Sequence, residues 1–131
     1  MKKGFVCGAW DLLHTGHILL LEECTKHCDQ LLIGLHVDPS IEREEKNKPT
    51  QSIYERLVQL RGCKYVDGIV VYETEEELST ILRSSDIDIR FLGSDYDDDK
   101  DKEVTAMDAV EIIIIDRKHN YSSTELKERL K

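Results

Sequence analysis

Residues 8–17 read GAWDLLHTGH and lie between a short apolar run at residues 4–7 and a second at Ile18, Leu19, Leu20 and Leu21. The first run has the length and composition of a buried strand, and the second reads as the opening turns of a helix. The junction between them is therefore strand, loop, helix N-terminus. The first amides of a helix have no intrahelical acceptor, and the summed peptide dipole places about half a positive charge beside them, so such a junction attracts anions. His14 and His17 are three residues apart, which lets both rings converge on whatever the amides hold, and Gly16 permits close backbone approach. Two polar caps would be the plainer account, but capping needs one such side chain, and here Asp11 stands just upstream as well.

Outward from this junction the pattern repeats. Residues 30–37 (QLLIGLHV) read as a second buried strand, so strand, helix and strand make a right-handed parallel unit. Residues 38–50 (DPSIEREEKNKPT) are charged and interrupted by two prolines, which predicts a mobile loop with a helical turn at most. Ser52 opens a helix carrying Ile53, Leu57 and Leu60 on one stripe, with Glu55, Arg56 and Gln59 placed elsewhere, and Gly62 ends it. A third strand is predicted at 69–71, then a helix opening at Thr74 with Glu75, Glu76 and Glu77 in its first turn, where the dipole favours acid. Residues 87–92 and 111–115 supply a fourth and a fifth strand, and Ser122 or Ser123 caps a closing amphipathic helix. The order defines one α/β domain over residues 1–131, a Rossmann-like open parallel sheet of about five strands flanked by helices. Ligands of such sheets bind beyond the carboxyl ends of the strands, where residues 8–17 fall.

Composition narrows the function. With 131 residues and a formal net charge of −9, the chain lacks the basic stripe that a polyanionic nucleic acid requires. No apolar run approaches the ~20 residues that span a bilayer, and the N-terminus shows no signal-peptide pattern, which predicts a cytoplasmic protein without a membrane partner. Cys24, His27 and Cys28 suggest zinc ligands, but no C-x-x-C pair occurs, and small buried hydrophobes are the better account of the cysteines. The acidic cluster at 97–101 lacks the glycine and glutamate of a calcium loop. Neither G-x-G-x-x-G nor G-x-x-x-x-G-K-[ST] is present, so dinucleotide redox chemistry and ordinary P-loop chemistry are not indicated.

GAWDLLHTGH resembles the signature G-x-F-D-x-x-H-x-G-H of the cytidylyltransferase-like nucleotidyltransferases, with Trp10 in the phenylalanine slot and Ala9 where threonine is common. Three further segments resemble motifs of that family. Lys64, Tyr65, Val66 and Asp67 follow its R-Y-V-D, GSDY at 93–96 follows a nucleotide-contacting motif, and RKHNYSST at 117–124 follows R-T-x-G-I-S-T-T, with Lys118, Asn120 and Tyr121 as departures. The resemblance spans nearly the whole chain and is greatest to the small glycerol-3-phosphate cytidylyltransferases. It implies transfer of a nucleotidyl group from CTP to a phosphorylated small acceptor, glycerol 3-phosphate first, giving CDP-glycerol and pyrophosphate. An adenylyltransferase using ATP with a sugar phosphate or flavin phosphate is the alternative within the same architecture. A non-catalytic nucleotide-binding module is the alternative of another class.

The resemblance also implies roles. His14, His17, Lys46 and Arg117 would be catalytic, with Lys48 the alternative to Lys46. Gly8, Ala9, Trp10, Asp11, Gly16, Lys64, Asp95, Ser122, Ser123 and Thr124 would join the histidines and Arg117 in holding the nucleotide. Arg56 and Arg61 could add phosphate contacts, since a lysine at 64 lacks the bidentate fork of arginine. Magnesium is expected with the triphosphate, with Asp11 as its possible organiser, and a homodimer is expected.

Overall fold

In a computed structural model of the chain, residues 1–93, 110–116 and 122–131 are described, all but the side chain of Ser123. Five parallel strands, β1 (Lys3–Gly8), β2 (Gln30–His36), β3 (Gly68–Tyr72), β4 (Ile89–Gly93) and β5 (Glu111–Ile115), form one sheet in the order β3-β2-β1-β4-β5. The helices are α1 (Thr15–Thr25), α2 (Ile53–Arg61), α3 (Glu75–Ser84) and α4 (Ser123–Arg129). The open five-stranded parallel sheet flanked by helices is the architecture anticipated above, with strand ends shifted by at most two residues and β5 as expected. The chain winds from β1 outward to β3, then returns to the other side of β1. The order reverses between β1 and β4, the point where open sheets leave a crevice at their carboxyl ends.

Two apolar layers hold the sheet. On one face Leu21 and Cys24 of α1 and Leu60 of α2 pack on Val6, Leu31, Ile33, Leu35, Ile89 and Phe91. On the other, Leu78 and Leu82 of α3 pack with Phe5, Tyr72 and Ile87. Gly34 is where the second layer leaves no room: a Cβ there would lie 2.5 Å from the Phe5 ring and 2.9 Å from Cys7 Cβ. All four cysteines are free thiols. Burial pushes the Cys24 thiol up to about 12, which suits a packed side chain and not a thiolate ligand.

The caps follow the sequence closely. Ser52 and Glu55 form a capping box at α2, Thr74 accepts from Glu77 N at α3, and Ser122, not Ser123, caps α4. The loop at 38–50 departs from expectation, because four sets of contacts tie it down. Asp38 accepts from the amide and hydroxyl of Ser40, Glu42 accepts from Glu75 N, Arg43 pairs with Glu75 at 2.5 Å, and the Asp11 carboxylate accepts from Thr50 N and Gln51 N. Its charges are used to tether it to α3 and to the loop after β1, which composition alone does not reveal. Among the described residues no helix is long and apolar enough to cross a membrane.

Candidate active site

The loop after β1 is held in an uncommon backbone shape. Trp10 (φ 54°) and Leu12 (φ 50°) both occupy the left-handed region, which costs an ordinary residue on the order of 1 kcal/mol or more. Neighbours compensate at every residue. Arg56 Nη1 donates to Ala9 O at 3.0 Å, the Trp10 indole N–H donates to Gly34 O at 3.0 Å, and Leu12 N donates to Gln51 Oε1 at 2.7 Å. Asp11 adds its two bonds to Thr50 and Gln51.

That shape delivers His14 as the N-cap of α1. Its Nδ1 accepts from Gly16 N at 3.0 Å, and His17 Nδ1 accepts from His14 N at 3.2 Å, so the two imidazoles make a reciprocal capping box. The rings lie 4.0 Å apart, and the His17 ring is 5.4 Å from Trp10. A ring nitrogen that accepts an amide proton carries none itself, so each neutral imidazole bears its proton on Nε2. Capping therefore also orients the rings. The amide bonds fix the tautomer, and the tautomer makes each ring a donor at the helix N-terminus.

Burial, then the adjacent His14, holds the His17 imidazole down at about 4, while Asp11 acts weakly the other way. Because the folded pKa lies below the ordinary 6.5, the unfolded chain binds more protons between these values. The stability due to neutral His17 is thus fully present above pH 6.5 and is lost as pH falls through about 4. At 1.36 kcal/mol per pH unit this is about 3 kcal/mol. Urea unfolding of wild type and His17→Asn, whose amide oxygen preserves the cap, measures it. The stability of wild type relative to the variant should fall by about that amount from pH 7 to pH 4; parallel curves would remove the buried neutral imidazole from the account.

The remaining candidates divide by position. Gly8, Ala9 and Lys46 line a cavity of about 280 Å³ at the carboxyl ends of β1, β2 and β3, shared with His36, Arg43, Asn47 and Tyr72. Lys48 instead exerts its charge on Asp38, helping to hold that carboxyl below its usual range behind the larger effect of the Ser40 hydroxyl. Gly16 is buried at the start of α1.

Two side chains depart from their expected place. The Trp10 indole is only 4% exposed and belongs to the core, so it shapes the loop from within. Lys64 lies beyond the C-terminal end of α2, where Asp67 pairs with Leu31 at the amino edge of the sheet; its Nζ sits 5.1 Å over the Tyr65 ring, whose hydroxyl donates to Glu22. It is a strand length, roughly 20 Å, from the crevice, because α2 runs antiparallel to the strands and ends at their starts. Ser122 Oγ accepts from Glu125 N in its own cap, and Thr124 is exposed. Asp95, Arg117 and the Ser123 side chain lie outside what is described.

Arg56 is neither a phosphate ligand nor a helix-surface residue. It is 2% exposed, and its guanidinium donates to the carbonyls of Ala9, His36, Val37, Gln51 and Ser52. Its burial, though not its distant partners, is written in the spacing: Arg56 stands three residues after Ile53 and four before Leu60, on the apolar stripe itself. His36 was not singled out from sequence, since an isolated histidine at a strand end carries no motif.

An open parallel α/β sheet with a crevice at the reversal of strand order and a helix N-terminus capped by two imidazoles is the architecture of a Rossmann-like domain. The family model described as cytidylyltransferase-like matches residues 5–129, and the chain belongs to that family of nucleotidyltransferases. Among curated relatives it is similar to the bifunctional protein HldE of Campylobacter jejuni subsp. jejuni serotype O:6 (33% identity, 99% of this chain, 28% of the relative). HldE of Hyphomonas neptunium is similar at 34% identity over 73% of this chain and 20% of the relative. The chain thus spans between a fifth and just over a quarter of these relatives. The crystal structure of the lipopolysaccharide core biosynthesis protein from Thermoplasma volcanium shares the fold, with a TM-score of 0.70 and 24% identity over 93% of this chain and 99% of that one.

Proposed function

We propose that the protein transfers a nucleotidyl group from a nucleoside triphosphate to a phosphorylated small acceptor. An oxygen of the acceptor's phosphate attacks the α-phosphorus in line, the bond from that phosphorus to the bridging oxygen breaks, and pyrophosphate leaves with the electron pair. Both reactants are anions and no enzyme nucleophile is needed, so the protein's task is to align them and meet the charge that grows on the equatorial and leaving oxygens. The observation that carries this reading is the paired Nδ1 capping of His14 and His17, which leaves Nε2–H as the donor of each neutral ring at a helix N-terminus. Gly8, Ala9, Gly16 and the backbone of Trp10 would line the nucleotide's path, and Lys46 would meet the acceptor's phosphate in the cavity. Arg117, Asp95, Ser123 and Thr124 keep the nucleotide roles implied by the resemblance, and the active form is a homodimer.

Magnesium does not fit a protein-held site among the described residues. Both oxygens of Asp11 hold the amides of Thr50 and Gln51, and no group of three or more potential ligands gathers around it. An ion carried by the triphosphate is compatible with the proposal, and the histidine and lysine roles stand without it.

The pair placed first is ATP with a sugar phosphate. The curated relatives are named as bifunctional HldE proteins and not as glycerol-phosphate enzymes, and the departures in RKHNYSST weaken inference about any exact substrate, glycerol 3-phosphate included. CTP with glycerol 3-phosphate stands second, on the GAWDLLHTGH and GSDY resemblances. Pyrophosphate release across ATP, CTP, GTP and UTP, each with glycerol 3-phosphate, glucose 1-phosphate, mannose 1-phosphate and flavin mononucleotide, tests both. One pair should exceed the others at least tenfold; triphosphate binding with no release under any acceptor would mark a binding module instead.

A further inference from the structure

We propose that His36 is a specificity-determining residue: its Nδ1 accepts a hydrogen bond from a hydroxyl of the acceptor, which is therefore a phosphorylated polyhydroxy compound. This rests on the reading that the cavity beside Lys46 takes the acceptor. His36 ends β2, is 8% exposed and lines that cavity. Two contacts fix its ring. It stacks on Tyr72, its partner in the ladder with β3, at 4.6 Å and 24°, and its Nε2 lies 3.2 Å from Glu73 O.

A carbonyl only accepts, so Nε2 carries the proton and the neutral ring presents Nδ1 as a bare lone pair. Among the described residues no donor reaches Nδ1. An acceptor atom in a half-enclosed cavity repels a phosphate oxygen and favours an O–H, so phosphate and hydroxyl are sorted to different places. The cations lie on the loop at 38–50: Lys46, and Arg43 with its charge shared with Glu75. Asn47 adds an amide, while Pro39 and Leu78 provide apolar surface for C–H groups. One wall thus suits a phosphate and another suits the hydroxyl-bearing carbon chain of a sugar or polyol.

The test pairs each acceptor with a deoxy analogue, glucose 1-phosphate with 2-deoxyglucose 1-phosphate and glycerol 3-phosphate with 1,3-propanediol monophosphate, against wild type and His36→Phe, which retains the stack. For the acceptor turned over, His36→Phe should raise the acceptor KM about 30-fold, the cost of leaving the acceptor's hydroxyl buried without a partner. Turnover and the triphosphate KM should stay within a few-fold. The deoxy analogue should suffer in wild type but lose little more in the variant. Equal losses for an acceptor and its analogue, or a matching rise in triphosphate KM, would overturn the proposal. Long-range 1H–15N spectra of the full chain give a readout independent of turnover. Adding glucose 1-phosphate or glycerol 3-phosphate should shift His36 Nδ1, and inorganic phosphate should not; an unmoved Nδ1 overturns the proposal even if the enzyme is active. A shifted Nδ1 without turnover would preserve the role of His36 while the transferase reading fails.

Discussion

Replacing His17 with alanine should lower pyrophosphate release by a hundredfold or more, the loss typical of one transition-state donor. Alanine alone does not separate chemistry from capping, because His17 Nδ1 also holds the His14 amide. Two further variants do. In His17→Asn the amide oxygen occupies the Nδ1 position and keeps the cap, but nothing reaches where Nε2–H was; in His17→Gln the longer side chain carries an N–H donor toward that place, and its oxygen has the reach to the N-cap amide that Glu55 shows in α2. If the distal donor matters, the asparagine variant should fold as stably as wild type near pH 7, where the His17 ring is neutral folded and unfolded, and still turn over a hundredfold slower. The glutamine variant should recover part of the rate. Near-normal turnover in the asparagine variant would show that the imidazole serves only the helix. Triphosphate binding by calorimetry should change less than turnover in all three, since the interaction grows as charge develops.

Replacing Arg56 with leucine should cost on the order of 4 kcal/mol, because five carbonyls at the carboxyl ends of β1 and β2 and at the head of α2 lose a charged donor together. For a domain of this length that corresponds to a fall in Tm of about 15 °C. Lysine should restore little of it: one ammonium cannot span carbonyls that the planar guanidinium reaches from three nitrogens. Thermal unfolding followed by circular dichroism reads the result, and a fall below about 3 °C would show that these carbonyls are satisfied without Arg56. Burial lowers the Arg56 pKa, against the raising influence of Asp11 and Asp38, so those two carboxylates help keep the charge there.

The scaffold was legible because it depends on local chemistry. Apolar runs of strand length, Ser52 with Glu55, Thr74, and a terminal hydroxyl before α4 each announce themselves within a few residues. The paired histidines were legible for the same reason, since three-residue spacing at a helix start is a local statement. What escaped was set by distance in the chain. Arg56 acquires its task from Ala9, 47 residues earlier; Lys64 is carried to the far edge by the direction of α2; and Trp10 turns inward because Gly34 leaves a carbonyl within its reach. Charge and motif position named these residues as candidates, and only the tertiary arrangement assigned their work.

The left-handed turn at Trp10 and Leu12 has a consequence for when the paired-histidine site comes into being. Its restraining partners are Gly34, Thr50, Gln51 and Arg56. A peptide ending before residue 50 would contain the complete signature yet relax into ordinary extended or helical conformations, with both imidazoles unaimed. Competence therefore arises late in assembly, once the second helix has docked, and it should be among the first properties surrendered under mild denaturation.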